Sequence, residues 1–92
     1  MIRSFRHKGL RDFFFDGSRK GIDPRLAPRI GRIFDILRAA SEPTELRLPG
    51  YDLHPLTGDK AGYWAVKVSG NWRIIFAFDG EDAVDVDLVD YH

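Results

Sequence analysis

No cysteine occurs among the 92 residues. Disulfide staples and thiolate metal sites are therefore excluded, and nothing requires an oxidising compartment. Long apolar runs are absent too: no stretch approaches the roughly 20 residues of a membrane-spanning helix. The opening MIRSFRHKGLRDFFF carries a charge every few residues and no apolar segment of signal-peptide length. The expectation is a soluble, cytoplasmic protein with no membrane partner. Histidine is scarce. His7, His54 and His92 form neither an HExxH pair nor a His/Cys cluster, so the sequence offers no metal site. A Gly-rich phosphate loop between strand and helix is missing as well. Ser4, Ser18, Ser41 and Ser69 are scattered hydroxyls in a chain too small to favour a seryl triad. No cofactor is expected.

Net charge is also zero, which at first argues against a nucleic-acid partner. The distribution argues otherwise. Residues 1–40 hold ten Lys/Arg and four Asp/Glu, a net of +6, and residues 41–92 hold four and ten, a net of −6. Such opposed halves either mix into a neutral surface on folding or mark an interaction face. The apolar share of 43% and aromatic share of 13% are enough for a packed core. The length fits one domain spanning residues 1–92.

Hydrophobic spacing divides the chain into helices first and strands afterwards. MIRSFRH alternates enough to suggest a short opening strand. KGLRDFFFDG places Leu10, Phe13 and Phe14 at helical spacing and ends on Gly17, which suits a helix C-cap. In RKGIDPRLAPRIGRIFDILRAAS, Leu26, Ile30, Ile33 and Leu37 form an i, i+4, i+7, i+11 stripe with Phe34 beside it. Asp23 suits the N-cap and Pro24 the first turn, although Pro28 is better accommodated by a helix starting near Ala27. EPTELRLPGYDL reads as a connection. The period then switches to two. GYWAVKVSG, NWRIIFAFDG and DAVDVDLVDYH are separated by tight turns, the pattern of an antiparallel meander. In the last strand Val84, Val86 and Leu88 are expected on one face, with Asp85 and Asp87 on the other. The fold class is α+β, two helices packed on a mainly antiparallel sheet.

The chemistry-bearing residues gather in the β-rich half. His54 stands before a proline that holds it extended, Lys60 lies in the polar TGDKAG turn, and Arg73 sits on the central strand. Asp90, Tyr91 and His92 close the last strand. Cleavage of RNA needs a base for the 2′-OH, an acid for the 5′-oxygen and a cation for the charge gathering on phosphorus. Histidine serves either proton role near neutrality, and arginine grips phosphate oxygens bidentately. Each residue also has an ordinary structural reading: Arg73 can pair with Asp90 across two strands, and a histidine before proline is often purely structural. Arg25, Arg29 and Arg32, at i, i+4, i+7, make either a solvated basic helix face or a row of contacts to structured RNA.

The run LHPLTGDKAGYWAVKVSGNWRIIFAF, the ending DAVDVDLVDYH and the opening MIRSFRHKGLRDFF closely resemble HigB-type toxins of the RelE superfamily. The resemblance covers essentially the whole chain. It implies a compact RelE-like domain acting as a ribosome-dependent mRNA endonuclease that cuts messages in the small-subunit decoding site without a metal. It implies as partners a HigA-type helix-turn-helix antitoxin, the ribosome with its mRNA, and operator DNA only through the antitoxin complex. The family's catalytic set falls on His54, Arg73, Asp90, Tyr91 and His92, with Lys60, Lys67 and Arg73 as phosphate contacts. Arg25, Arg29 and Arg32 are then candidates for touching the ribosome. Thr57 stands where relatives often carry lysine, and Lys67 and Ser69 replace a stretch often richer in arginine. These departures keep open a second reading, a catalytically weak module that binds its antitoxin as a co-repressor. Which imidazole is the base stays open. The carboxylate at His92 favours its imidazolium, which suits a general acid.

Overall fold

The computed structural model describes residues 1–91. Its first helix, α1 (Lys8–Asp16), opens on His7, whose Nδ1 accepts the Leu10 N–H at 3.1 Å. It closes on Gly17 in the left-handed conformation, φ 72°. The Gly17 N–H bonds the Phe13 carbonyl and the Ser18 N–H bonds the Asp12 carbonyl, so the last turn is satisfied by the chain that leaves it. The second helix, α2, runs over Ala27–Ala39, with Leu26 at the N-cap making no side-chain bond. Asp23 does not cap it. Its carboxylate accepts the Arg25 N–H at 2.9 Å and pairs with the Arg25 guanidinium at 2.8 Å. The late start follows from Pro28: in a helix begun at Pro24, its ring would clash with the carbonyl four residues back. The stripe of Leu26, Ile30, Ile33, Phe34 and Leu37 is buried, as its spacing predicts.

Four strands form one antiparallel sheet in the order β1 (His54–Pro55), β2 (Trp64–Ser69), β3 (Trp72–Asp79), β4 (Asp82–Asp90). The meander is the expected one, and β1, which follows the expected connection, is an addition to it. The opening MIRSFRH forms no full strand. It runs parallel to β4 through two isolated bridges, Ile2 to Ala83 and Phe5 to Val86. Arg3 and Arg6 donate to the carbonyls of Ala83 and Val86 at 2.8 and 2.9 Å. Phe5 packs tilted against Phe14 and edge-to-face against Phe34, with centroids 5.5 and 5.8 Å apart, which ties this segment to both helices.

One strand departs from simple alternation. Val84 does not share a face with Val86 and Leu88. Ile75 pairs with Asp87 but Ala77 pairs with Val84, so Phe76 alone faces both Asp85 and Val86. Asp85, with φ 55°, is the extra residue of a β-bulge. The bulge resets the pleat. Ala83, Val86 and Leu88 are buried, while Val84 is only partly covered. The core lies between the helices and the inner face of the sheet, where Leu10, Ile30, Ile33 and Leu37 meet Val66, Ile74, Phe76 and Val86. Among the described residues no helix is long and apolar enough to cross a membrane.

Glycine lets the start of α1 approach the loop that leads to α2. A Cβ on Gly9 would lie 2.5 Å from the Gly21 carbonyl oxygen, whereas one on Gly31, within α2, would meet nothing within 4 Å. Gly9→Ala should therefore lower stability by about 1–3 kcal/mol, the usual cost of overpacking against backbone. Gly31→Ala should raise it by about 0.5–1 kcal/mol, through better helix propensity. Urea denaturation of the two variants checks both signs.

Candidate functional site on the outer face of the sheet

Residues opposite one another on paired strands project from the same face, and successive pairs alternate. Val66 pairs with Ile74 and Ile74 with Leu88, and these side chains are in the core. The neighbouring rows therefore face away from the helices. One row is His54, Ala65, Ile75 and Asp87; the next is Lys67, Arg73 and Val89. His54 and Lys67 are diagonal neighbours across β1 and β2, which puts them about 7–8 Å apart at the backbone. Residues that are distant in the chain thus share one surface.

Lys67 and Arg73 are direct partners across β2 and β3. Two like charges in that relation repel unless an anion lies between them. No carboxylate of the described residues is within ion-pair distance of either. Arg73 is held by backbone instead, its Nη1 donating to the carbonyls of Gly70 at 2.7 Å and Trp72 at 3.0 Å. Those two bonds fix the guanidinium beside the β2–β3 turn, with no ion-pair partner among the described residues. An anionic ligand is the natural occupant of this pair.

His54 has its Nδ1 2.9 Å from the Asp52 carbonyl oxygen. A carbonyl only accepts, so Nδ1 carries the proton in this contact, and in the neutral ring Nε2 is the nitrogen with the lone pair. That is the tautomer of a general base. Asp52 reaches this geometry with φ 50°, a left-handed conformation that Asp tolerates better than most residues. Lys60 is exposed at the end of a 3-10 turn (Gly58–Lys60), its Nζ 5.7 Å from the Tyr63 ring.

The C-terminal residues divide between the two faces. Asp90 is opposite Trp72, one residue out of step with Arg73 and Val89, so the pleat carries it to the helix side. There it lines a polar hollow of about 290 Å³ with Asp23, Arg25 and Trp72. Tyr91 is exposed, and its N–H bonds the Asn71 carbonyl at 2.9 Å, so the backbone stays tied to the β2–β3 turn through residue 91. The proton-transfer role expected of His92 lies outside the described residues. Among those residues, no three His, Cys, Asp or Glu side chains gather as a metal ion would need.

The three arginines do not form one row. Arg25 precedes α2 and is paired with Asp23, and Arg32 is exposed on the helix. Arg29 turns inward to bond the carbonyls of Gly50 and Lys67 and lies 4.2 Å over the Tyr51 ring. A further cluster has no signal in the sequence. The Tyr63 hydroxyl donates to Asp85 at 2.8 Å and accepts from Arg6 at 3.2 Å, while the Asp85 N–H donates to Ser4 Oγ at 2.9 Å. The bulge at Asp85 creates this arrangement, and no residue spacing announces a bulge.

The hydrogen bond to Asp85 holds the Tyr63 phenol above the ordinary tyrosine range, with burial and the Asp85 charge acting the same way and Arg6 opposing. The neutral phenol therefore contributes stability that is present below the ordinary value and lost as pH rises through the raised one. In an absorbance titration the native protein should show a tyrosine step above the ordinary range. That step should vanish in Tyr63→Phe and move back toward the ordinary range in Asp85→Asn. A titration left unchanged by both substitutions would refute the assignment.

The comparisons with known proteins agree with this geometry. The model of a family described as the RelE-like toxin of the type II toxin–antitoxin system HigB matches residues 3–92. The endoribonuclease HigB of Proteus vulgaris is 42% identical over 92 residues, the full length of both chains. Two solved toxin structures share the fold at low identity. A mutant of YafQ from E. coli superposes with a TM-score of 0.62 at 17% identity, covering 98% of this chain and 93% of that one. The YoeB/ParE toxin from Agrobacterium tumefaciens does so with a TM-score of 0.59 at 19% identity, covering 100% and 99%. The family model over residues 3–92 and the relative matched over its full length settle the assignment: the chain belongs to the HigB-like toxins, RelE-like toxins of type II toxin–antitoxin systems.

Proposed function

We propose that the chain is an endoribonuclease that cuts translated mRNA on the ribosome by acid/base chemistry on its own side chains, and that its cognate antitoxin silences it. The activity named for the Proteus vulgaris relative supports the reaction class. The observation that carries the reading is the outer face itself: an imidazole with a bonded Nδ1 stands diagonal to the cross-strand pair of cations Lys67 and Arg73.

In this reading His54 Nε2 takes the proton from the 2′-OH as its oxygen attacks phosphorus. The bond to the 5′-oxygen breaks, and that oxygen receives a proton from a general acid. The 2′,3′-cyclic phosphate and a free 5′-hydroxyl are the products. His92 is the acid in this proposal. Arg73 and Lys67 carry the charge developing on the phosphoryl oxygens, with Lys60 assisting from its turn. Tyr91, exposed beside the Asn71 turn, offers a stacking surface for a base. Asp90, on the helix side, orients the chain end rather than holding Arg73.

In this reading the ribosome supplies the orientation of the flexible RNA strand, and orientation alone supplies about 7–11 kcal/mol of a barrier when reactants are held in line. A message already threaded through a decoding site arrives oriented. Of the three arginines, Arg32 and Arg25 rather than Arg29 are exposed for contact with ribosomal RNA. The antitoxin is a helix-turn-helix protein encoded alongside, and operator DNA is reached only through its complex with the toxin.

Two variants test the roles. His54→Gln should slow cleavage of ribosome-bound mRNA by about 10²–10⁴-fold, the usual contribution of a general base. Arg73→Met should slow it by about 10²–10³-fold. Mapping of cellular mRNA ends after induction should show cuts that depend on translation and disappear in both variants. Identical end maps for wild type and His54→Gln would instead favour an antitoxin-binding module without catalysis.

A further inference from the structure

Arg29 belongs to the first turns of α2, yet its side chain is committed to the other layer of the molecule. Nε and Nη2 lie 3.3 and 3.2 Å from the Lys67 carbonyl on β2, Nη2 also bonds the Gly50 carbonyl, and the guanidinium stacks 4.2 Å from the Tyr51 ring centroid. The Lys67 N–H in turn donates to the Tyr51 carbonyl at 2.7 Å. Lys67 is thus bonded at both its N–H and its carbonyl, and Tyr51 is held by backbone and ring. A lysine could not reproduce this, because only a planar fork bonds two carbonyls while stacking on an aromatic.

The segment so held leads directly to His54. Gly50 and Asp52 both have positive φ, 87° and 50°. Such conformations persist in a loop when surrounding contacts over-determine them. Downstream, β1 offers only two residue pairs to β2, His54 with Ala65 and Pro55 with Trp64. Between the arginine and the strand stands the Asp52 carbonyl, which bonds His54 Nδ1. We infer that Arg29 is the positioning residue for His54: by pinning Gly50 and Tyr51 against Lys67, it holds the Asp52 carbonyl where it selects the Nδ1–H tautomer. The same grip fixes the backbone beneath Lys67, so one side chain orders both the imidazole and its cationic neighbour. The catalytic consequence rests on His54 acting as base; the structural one does not.

Full-length Arg29→Met and Arg29→Lys separate the two. In wild-type protein, ¹⁵N and ¹³C spectra of the neutral imidazole should report His54 as the Nδ1–H tautomer. In Arg29→Met the signals should move toward the Nε2–H form, with Arg29→Lys between. In single-turnover cleavage of ribosome-bound mRNA, the rate constant of Arg29→Met should fall by about 10²-fold, as for a displaced catalytic group. The ribosome concentration for half-saturation should stay unchanged. A folded Arg29→Met with the wild-type tautomer overturns the inference. So does a loss that resides in half-saturation with the tautomer intact, which would make Arg29 a ribosome contact. If Arg29→Met does not fold, Arg29→Lys carries both measurements, and a wild-type tautomer and rate there overturn it equally. If wild type fails to cut ribosome-bound mRNA, the proposed nuclease reading falls, and the tautomer still decides what Arg29 does.

Discussion

Everything proposed for the outer face depends on the register of β2 against β3. Side chains on a strand alternate with period two, so a slip by one residue would exchange the two faces completely. Arg73 would then enter the core and Ile74 would face water. The register is held by burial: Val66, Ile74 and Phe76 have no exposed alternative once the α2 stripe lies over them. Hydrophobic packing on one side of the sheet thereby aligns cations on the other. The repulsion between Lys67 and Arg73 is tolerated because the core decides the pairing.

A second constraint is the edge. β1 is two residues long, and a strand so short contributes little pairing of its own. Its placement is borrowed from contacts made before it begins: Tyr51 to Lys67 through backbone, and Arg29 to both. The result is a histidine on a rigid support although it belongs to a loop-like segment. Functional side chains on loops often owe their geometry to such a scaffold. Here the scaffold is the side chain of a helix on the opposite layer.

Much of this was legible in the residues. The stripe from Leu26 to Leu37 announced α2, and Gly17 announced the end of α1. The three alternating runs after residue 62 announced the meander. The chemistry-bearing residues were also visible, because few side chains do acid/base or phosphate chemistry and the sequence holds only three histidines. The faces were harder. Val84 looked inward by alternation and turned outward because a bulge at Asp85 inserts one residue, and a bulge leaves no period behind. Arg73 and Asp90 looked like an ion pair across two strands, but a register offset of one residue puts them on opposite faces.

By itself, then, the sequence determined the element types, the buried stripe and the inventory of reactive groups. These are written in local spacing and residue chemistry, and both can be read without knowing what touches what. Only the tertiary structure decided which groups meet. Arg29 shares helical spacing with Arg25 and Arg32 and would be taken for surface charge on that ground alone. It turns inward because the Gly50 and Lys67 carbonyls and the Tyr51 ring converge on it from segments 21 to 38 residues away. Convergence over that distance is a property of the folded chain, and no local pattern carries it.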